Sequence, residues 1–136
     1  MLLGEHAVLH GHPCLVAAIE KRVRVSVIPR NDGLITIASA LGEYEGERDQ
    51  LPDHPSFRFI LAALRHLRDA APGGLDIAVE ADMPPTIGFG TSAAVTVAMV
   101  GALQMAARGA WSLPDTLEHA HQVIRDVQGR GSGADA

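Results

Sequence analysis

The sequence predicts an α+β fold, in which helices pack on a mainly antiparallel sheet. Several short stretches alternate apolar and polar residues, as half-buried strands do. One longer stretch repeats apolar residues at helical spacing, and two others carry helix start and stop signals. The predicted order β-β-β-α-β-α-α is typical of a layer of helices on a sheet. The 136 residues, 47% of them hydrophobic, suffice for the core of one globular domain.

The first strands are predicted within residues 13–38. The apolar run 13–19 predicts a short buried strand, and three valines alternate with polar residues over 22–27. The sequence Asn-Asp-Gly at 31–33 marks a tight turn, because Asn and Gly tolerate positive φ. The run 34–38 follows as the returning strand, so the strands on either side of the turn are predicted to form a β-hairpin.

The middle of the chain is predicted to hold a loop, a helix and a strand. Residues 42–55 are polar and contain two prolines, which predicts a loop with a short strand at Tyr44. A helix is predicted over about 56–70 and is stopped by Pro-Gly-Gly at 72–74. Residues 75–80 alternate and predict another strand. The apolar face of the helix comprises Phe57, Ile60, Leu61, Leu64 and Leu67.

Two helices are predicted after a loop at 81–91. The first covers about 92–108, and its many alanines suit close packing on several sides. The second starts near Ser112, where Ser-Leu-Pro-Asp combines an N-cap serine with an early proline, and it ends before Gly129. The uncharged stretch 83–107 is long enough to span a bilayer. Its prolines and glycines favour a loop followed by a buried helix instead.

Composition and charge exclude several classes of function. The net charge is −5, so neither nucleic acid nor an anionic membrane surface is expected as a partner. Cys14 is the single cysteine, which excludes an internal disulfide and fits a reducing, cytoplasmic location. No signal peptide is predicted, because charged residues follow Met1 closely.

The stretch GEHAVLHGHP at 4–13 is rich in histidine. His6, His10 and His12 have the spacing H-x3-H-x-H, and imidazole is a common zinc ligand. A zinc site usually needs a fourth ligand, and no second ligand cluster stands at a recognisable spacing. The residues alone leave three interpretations open, namely a metal site, a substrate-binding loop and a histidine-rich turn.

A second stretch, PPTIGFGTSAAVTVA at 84–98, joins a glycine loop to a helix start. Backbone N–H groups at a helix N-terminus are unpaired and carry the positive end of the helix dipole, which favours anions. Gly88 and Gly90 allow close approach of a phosphate, and Thr91 and Ser92 supply hydroxyls for phosphate or magnesium. The stretch lacks the P-loop lysine and the third glycine of the dinucleotide motif. A phosphate loop and a plain glycine turn therefore both remain open.

The glycine stretch resembles the ATP loop of the GHMP kinase superfamily, P-x-x-x-G-L-G-S-S-A-A, in the frame that begins at Pro84. Phe and Thr replace a Leu and a Ser of that pattern and keep bulk and hydroxyl. The resemblance implies the fold of the GHMP kinase N-terminal domain. It also implies the ATP-binding residues, which are Pro85, Gly88, Phe89, Gly90, Thr91, Ser92 and Ala93.

The first stretch, LLGEHAVLHGHPCLVAAI at 2–19, resembles the N-terminal signature of mevalonate kinases within that superfamily. The resemblance implies that Glu5 and His6 lie in a loop that lines the acceptor pocket. There they would bind the hydroxyl and carboxylate of mevalonate. It assigns no role to His10 and His12.

A third motif, GRGSGADA at 129–136, resembles the family segment that ends in the catalytic aspartate. The resemblance implies that Asp135 orients or deprotonates the acceptor hydroxyl, with Ser132 and Gly133 on the substrate side. This version of the motif leans toward phosphomevalonate kinases. Mevalonate and phosphomevalonate kinases therefore both remain candidates.

Together the three motifs imply an ATP-dependent kinase that phosphorylates a hydroxyl of mevalonate or a related isoprenoid precursor. ATP and Mg²⁺ are the implied cofactors, with Ser92 as a magnesium ligand. The magnesium-binding glutamate of the family falls near Ile124, so Asp126 or Glu118 is expected to substitute. The expected partners are a small-molecule substrate and further copies of the chain in a homo-oligomer.

The chain is expected to be a GHMP kinase N-terminal domain over 1–136, shortened at both ends. Family members carry Ala-Pro-Gly-Lys upstream of the position of Met1 and a C-terminal domain beyond Asp135. Two further hypotheses stand beside the kinase. One is a non-catalytic remnant of the fold that binds nucleotide, and the other is a metal-binding module built on the histidines.

Overall fold

A computed structural model of the chain describes residues 2–4, 6–70, 72–83 and 90–129. Within these residues, three α-helices pack on a four-stranded sheet, which confirms the predicted α+β class. The strands are β1 (Val23–Pro29), β2 (Leu34–Ser39), β3 (Gly42–Glu47) and β4 (Leu75–Ala81). The helices are α1 (Arg58–His66), α2 (Thr91–Arg108) and α3 (Leu113–Gln128).

The sheet is mixed, with the strand order β1-β4-β2-β3. β1 runs antiparallel to β4, and β3 runs antiparallel to β2. The two central strands, β4 and β2, are parallel. Parallel strands need a crossover connection, so the chain leaves β3, forms α1 and returns through the centre of the sheet as β4. Two of the three strand pairs are antiparallel, as predicted.

The predicted hairpin between β1 and β2 is wrong, although both strands form. β4 lies between them and pairs with each. The Arg30 N–H donates to the Gly74 carbonyl at 3.1 Å, and the Gly33 N–H donates to the Gly73 carbonyl at 2.8 Å. A Cβ atom at Gly73 would lie 2.3 Å from the carbonyl oxygen of Arg30, so the close approach requires glycine. The turn at 31–33 therefore connects β1 to β2 across the start of β4, which lies between them.

The predicted buried strand at 13–19 is also wrong. Leu15, Val16 and Ile19 are 53%, 48% and 48% exposed. Within the described residues, Leu15 makes one isolated bridge to Leu3 and the run joins no strand of the sheet. The run is apolar enough for a buried strand, but no described strand lies beside it to supply backbone partners.

The third early strand is instead β3, in the stretch predicted as a loop with a short strand at Tyr44. Tyr44 is buried, whereas the three glutamates of β3 are exposed. The hydroxyl of Tyr44 donates to the carbonyl of Pro52 at 3.0 Å. This alternation places one face of a largely polar strand against the core. The order β-β-β-α-β-α-α is therefore observed, but with β3 in place of the run at 13–19.

The helix predicted over 56–70 forms as a shorter α-helix. α1 is flanked by single 3₁₀ turns at Pro55–Phe57 and Arg68–Ala70. Its predicted apolar face is confirmed, since the four residues at 57, 60, 61 and 64 are buried and Leu67 packs against them.

The two later helices agree with their predictions. α2 packs against β1, α1 and α3, which explains its small residues. α3 ends at Gln128, before Gly129 with φ 70°. Ser112 is the N-cap residue of α3, but its side chain makes no capping hydrogen bond. None of the helices in the described ranges is both long and apolar enough to cross a membrane.

The core lies between the sheet and the helices. Ile35 and Ile37 of β2 and Leu75 and Ile77 of β4 are at most 2% exposed, and they share one cluster with the buried faces of all three helices. The C-terminal ends of β2 and β4 lie at one edge of the sheet. This edge precedes the start of α2 and is where ligands commonly bind in sheets with parallel strands.

Candidate functional site

The N-terminus of α2 is the first component of the candidate site. Gly90 is its N-cap residue and has the left-handed conformation, with φ 74° and ψ 22°. The first intrahelical hydrogen bond runs from the N–H of Ala94 to the carbonyl of Gly90, at 3.0 Å. The N–H groups of residues 91–93 therefore have no acceptor within the helix. Together with the helix dipole, they make this end suited to an anion.

Two hydroxyl side chains lie at the same helix end. The Oγ1 atom of Thr91 is buried and has no hydrogen-bond partner among the described residues. An unpaired buried hydroxyl costs about 1–3 kcal/mol, so this atom lacks a partner that a bound ligand would supply. Ser92 is half-buried, and its carbonyl accepts a hydrogen bond of 2.7 Å from the Thr96 hydroxyl.

A cavity of about 270 Å³ opens beside these hydroxyls. Its wall joins the turn after β2, at 39–41, to the start of α1 and to the junction of β4 with α2. An apolar cavity next to an anion site suits a ligand that carries both a flat apolar group and a phosphate. The apolar wall residues include Phe57, Phe59, Ile60, Val79, Met83 and Val95.

Arg58 brings a positive charge to the wall of this cavity. Its guanidinium carbon lies 5.1 Å from the centroid of the Phe59 ring, a cation–π arrangement that orients it. Sequence reasoning missed both Arg58 and Met83 as site residues. No motif marks them, because they reach the cavity only through the packing of α1 against α2 and through the end of β4.

The predicted magnesium ligands lie on two helices, Ser92 in the first turn of α2 and Glu118 and Asp126 in α3. Ile124 of α3 lies in a small buried cluster with Ala93, so the position near which the resemblance places a magnesium-binding glutamate lies close to the start of α2. Glu118 and Asp126 are exposed. Glu118 is about 9 Å from Ile124 along the helix axis, and Asp126 is rotated by about 200° around it. Within the described residues, no group of three or more His, Cys, Asp or Glu could hold a metal ion.

The histidine-rich stretch forms a compact turn. His6, His10 and His12 are exposed, and His6 precedes a 3₁₀ turn. Gly4 has φ 88°, and a Cβ atom there would lie 2.9 Å from the carbonyl oxygen of Pro13. The turn is therefore closed by a glycine contact. The role of His6 on the substrate side stays a prediction.

Part of the predicted site lies outside the described residues. Gly90, Thr91, Ser92 and Ala93 are described and stand together at one helix end. The other predicted site residues keep their roles as predictions. They are Glu5, Pro85, Gly88, Phe89, Ser132, Gly133 and Asp135.

An ion-pair network lies at the opposite edge of the sheet, where β4 begins. The Arg30 guanidinium donates to Oδ1 of Asp76 at 2.5 Å and forms a two-point pair with Asp32. Hydrogen bonds from Arg30 and from the Leu34 N–H lower the pKa of Asp32 to about 2. Hydrogen bonds from the Thr36 hydroxyl and from Arg30 lower the pKa of Asp76. These charges fasten the turn at 31–33 to β4, away from the candidate site.

Comparison with known protein families matches residues 58–136 to the GHMP kinases N-terminal domain. A mevalonate kinase of Methanothermobacter thermautotrophicus is 38% identical over 135 residues, which cover 99% of this chain and 43% of the relative. A mevalonate kinase of Archaeoglobus fulgidus is also 38% identical, over 99% of this chain and 45% of the relative. The chain thus spans less than half the length of these curated relatives.

Solved structures show the same fold. The crystal structure of the Methanococcus jannaschii mevalonate kinase superposes with a TM-score of 0.77 at 18% identity, over 98% of this chain and 46% of that one. The Lin0012 protein from Listeria innocua superposes with a TM-score of 0.78 at 22% identity, over 98% and 41%. At these identities the comparison establishes the fold alone.

Proposed function

The chain belongs to the GHMP kinase family, and on that premise we propose that it is the N-terminal, nucleotide-binding part of an ATP-dependent small-molecule kinase. The proposed reaction transfers the γ-phosphoryl group of ATP to a hydroxyl of mevalonate or a related isoprenoid precursor. The relatives named mevalonate kinase support this class of acceptor. The observation that carries the proposal is the start of α2, where left-handed Gly90 and the unpaired hydroxyl of Thr91 adjoin an apolar cavity.

The phosphates of ATP are proposed to bind at this helix end. The N–H groups of residues 91–93 point out of the first turn as donors, and the Thr91 hydroxyl supplies a further donor that lacks a partner within the described chain. Gly90 presents no Cβ atom to the ligand. Gly88 and Phe89 complete the proposed loop. In phosphoryl transfer, a protein contributes mainly by positioning the reacting groups and by stabilising the charge on the phosphates.

The cavity beside the phosphates is proposed to hold the base of the nucleotide. Its wall is rich in Phe, Ile, Val and Met side chains, and such a wall stabilises a flat heteroaromatic ring by burial. The guanidinium of Arg58 is held at the rim by the Phe59 ring, where it can attract the phosphates. This chemistry favours a nucleoside phosphate over a free phosphate.

A magnesium ion fits the described residues only in part. The Ser92 hydroxyl is an oxygen ligand, whereas the nearby residues Ala93 and Ile124 offer none. Mg²⁺ usually adds one or two carboxylates to substrate phosphates and water. When bound, the ion neutralises charge on the β- and γ-phosphates. We propose that Ser92 is the ligand from this part of the chain and that phosphate oxygens and water supply the rest.

The acceptor is proposed to bind between Glu5 and His6 on one side and Ser132 and Gly133 on the other. The Asp135 carboxylate takes the proton of the acceptor hydroxyl, whose oxygen attacks the γ-phosphorus. The bond between that phosphorus and the oxygen bridging to the β-phosphate breaks, and ADP leaves. Phosphomevalonate is the alternative acceptor, since the motif at 129–136 leans toward phosphomevalonate kinases.

One observation favours a second function, which is nucleotide binding without phosphoryl transfer. The resemblance places the magnesium-binding glutamate of the family near Ile124, which is 5% exposed and packs among apolar groups. A site without this carboxylate holds the nucleotide through N–H groups and hydroxyls. Its affinity for ATP would then depend little on Mg²⁺.

Calorimetric titration of the untagged chain tests the proposal. ATP and ADP should bind more tightly than adenosine, because the phosphates carry the contacts at α2. A coupled assay that detects ADP, with mevalonate or phosphomevalonate as acceptor, then separates the two functions. Turnover supports the kinase, and nucleotide binding without turnover supports the second function. Equal binding of adenosine and ATP would remove the basis of both.

A further inference from the structure

A second cavity, of about 340 Å³, lies where the three helices meet at the far end of α2. It is lined by the last turn of α1, the 3₁₀ turn at Arg68–Ala70, the end of α2 and the first turns of α3. Gln104 in its wall is 14 residues from Gly90, about 20 Å along the helix axis. The proposed kinase chemistry does not use this cavity.

Two histidines from different helices meet in its wall. Nε2 of His66, the last residue of α1, lies 3.1 Å from Nδ1 of His119 in α3. The rings are edge to face, with centroids 5.2 Å apart. His66 is exposed and His119 is half-buried, so solutes reach both. One of these nitrogens carries a proton and donates it in a hydrogen bond to the lone pair of the other, so neither facing nitrogen has a free lone pair while this bond is made.

The separation of these nitrogens matches two ligands of one metal ion. Imidazole nitrogens bind zinc at about 2.0–2.1 Å, so nitrogens 3.1 Å apart subtend about 98° at a shared ion. That angle lies between the values for octahedral and tetrahedral coordination. Imidazole is a ligand that Zn²⁺, Ni²⁺ and Cu²⁺ all accept, with Cu²⁺ bound most tightly.

We propose that His66 and His119 form a two-histidine site for a divalent transition-metal ion. On binding, the proton shared between Nε2 and Nδ1 moves to the other ring nitrogen of the histidine that carried it, and both facing lone pairs then bind the ion. Each ring turns about its terminal side-chain torsion so that the lone pairs converge. No group is oxidised or reduced.

The buried side chain of Gln104 supplies an independent observation. Gln104 is 6% exposed and lines the same cavity. Its Oε1 accepts a hydrogen bond of 2.7 Å from the Thr116 hydroxyl, while its Nε2 has no partner among the described residues. Two protein ligands leave other coordination positions to hydroxide, chloride or a small carboxylate. We expect such an anion to accept the hydrogen bond that Nε2 lacks, as outer groups pair with ligands at metal sites.

The charges around the cavity fit an ion that carries an anionic ligand. Arg68, Asp69 and Arg108 line the wall. Arg68 already pairs with Asp49 at 2.6 Å, and Arg108 lies at the C-terminal end of α2, where the helix dipole favours a cation. The anion bound to the metal offsets the remaining positive charge. The bound ion links α1 to α3 and stabilises their packing, since it binds only the folded arrangement.

Titration of the untagged chain with Zn²⁺ and Ni²⁺ tests the site, with thermal unfolding as a second measurement. His66→Ala and His119→Ala should each weaken metal binding by about tenfold or more and abolish the metal-dependent rise in Tm. The matched control is the double variant His10→Ala with His12→Ala. It removes two exposed imidazoles of the N-terminal turn and should leave binding at His66 unchanged. Circular dichroism verifies that each variant folds.

Spectroscopy of the control variant supplies a test without mutation of the site. Cu²⁺ bound to the chain that lacks His10 and His12 should show coupling to two imidazole nitrogens in its paramagnetic resonance spectrum. Unchanged affinity in both His66→Ala and His119→Ala would overturn the site, as would loss of all binding in the N-terminal double variant. Coupling to one nitrogen or none in the Cu²⁺ spectrum would overturn it as well.

Discussion

The guanidinium of Arg30, just after β1, donates a hydrogen bond of 2.5 Å to the carboxylate of Asp76, the second residue of β4. These residues are 46 positions apart. The contact joins the turn after β1 to the start of the strand that separates β1 from β2. It acts together with Gly73 and Gly74, where a Cβ atom would lie 2.3 Å from the carbonyl oxygen of Arg30 or Leu34. The position of β4 between β1 and β2 is therefore stabilised in two ways. One is the pair of ion pairs that Arg30 makes with Asp32 and Asp76, called the clamp below. The other is the close backbone packing at the two glycines.

Acid is expected to weaken the fold through this clamp. The pKa of Asp32 is about 2 in the folded chain against an ordinary 3.8, and that of Asp76 is lowered too. A carboxyl with a depressed folded pKa binds fewer protons than in the unfolded chain. Its stabilisation is present above about pH 4 and is lost as the pH falls toward about pH 2. The Tm should fall over this range.

The variant Asp76→Asn should reduce that fall in Tm, because one of the responsible carboxyls is gone. Glu118→Gln is the matched control, since it removes one exposed negative charge from α3 without touching the clamp. Its Tm should follow pH as the parent does. An acid profile of Asp76→Asn identical to that of the parent would contradict the role of the clamp.

Local patterns predicted strands better than they predicted strand pairing. The valine alternation of β1 and the run of β2 were correct, because alternation reports which face is buried. Their pairing was wrong, because Asn-Asp-Gly at 31–33 permits a tight hairpin and a wider turn equally well. The choice depends on β4, some forty residues away. β3 was predicted only as a short strand within a loop, because Tyr44 is its one buried residue and the residues around it are polar.

The candidate site, like the sheet, could be predicted only in part. The helix start at 90–93 could be predicted, because glycine, hydroxyl and small residues in that order have a local physical meaning. The cavity beside it could not, since Arg58 and Met83 come from elements that meet only in the fold. The strand predicted at 13–19 was wrong because an apolar sequence indicates a preference for burial, but does not indicate whether a neighbouring strand is present to pair with it.

Substitution of Gly90 should separate nucleotide binding from helix stability. Gly90→Val places a branched side chain at φ 74° where phosphate is proposed to approach, so ATP affinity should fall by at least about tenfold, or 1.4 kcal/mol. Gly109→Val is the matched control, because Gly109 has φ 67° at the other end of α2. It should show similar strain with normal ATP binding. Calorimetry measures both, and equal ATP affinity in the two variants would count against the site.

Thr91→Val should move stability and binding in opposite directions. The change keeps the shape of the side chain and removes a buried hydroxyl that has no described partner. The free chain should gain up to about 1 kcal/mol in free energy of unfolding, since the desolvation penalty disappears. ATP affinity should drop, while Thr91→Ser keeps it. A loss of stability in Thr91→Val without change in ATP affinity would mean that the hydroxyl serves the fold.

A carboxylate at position 124 should make nucleotide binding depend on magnesium. In the parent chain, the ratio of ATP affinities with and without Mg²⁺ should be small, because no Asp or Glu is among the described residues that line the cavity with Ser92. Ile124→Glu should raise this ratio at a cost in stability, since position 124 is 5% exposed and burial of a charge is unfavourable. Ile124→Gln is the matched control with equal size and no charge. The two variants should differ in the ratio, and equal ratios would contradict the geometry.

The exposed apolar N-terminal segment should make the chain self-associate. Leu2, Leu3, Leu15, Val16 and Ile19 are between 48% and 70% exposed, Leu3 is bridged to Leu15, and exposed apolar surface favours association. Sedimentation velocity over a range of protein concentrations should detect oligomers. The double variant Leu15→Ser with Val16→Ser should weaken association by about tenfold or more, because removal of a few buried methyl and methylene groups costs more than the 1.4 kcal/mol of one factor of ten.

The matched control for self-association is Met105→Ser with Trp111→Ser. These residues are 46% and 56% exposed and lie around the turn between α2 and α3. Their substitution therefore removes comparable apolar area from a different surface. Association through the N-terminal segment predicts that this control behaves as the parent does. Loss of oligomers in the control alone would move the interface to the helical turn. A parent chain that stays monomeric at all concentrations would contradict association through this segment.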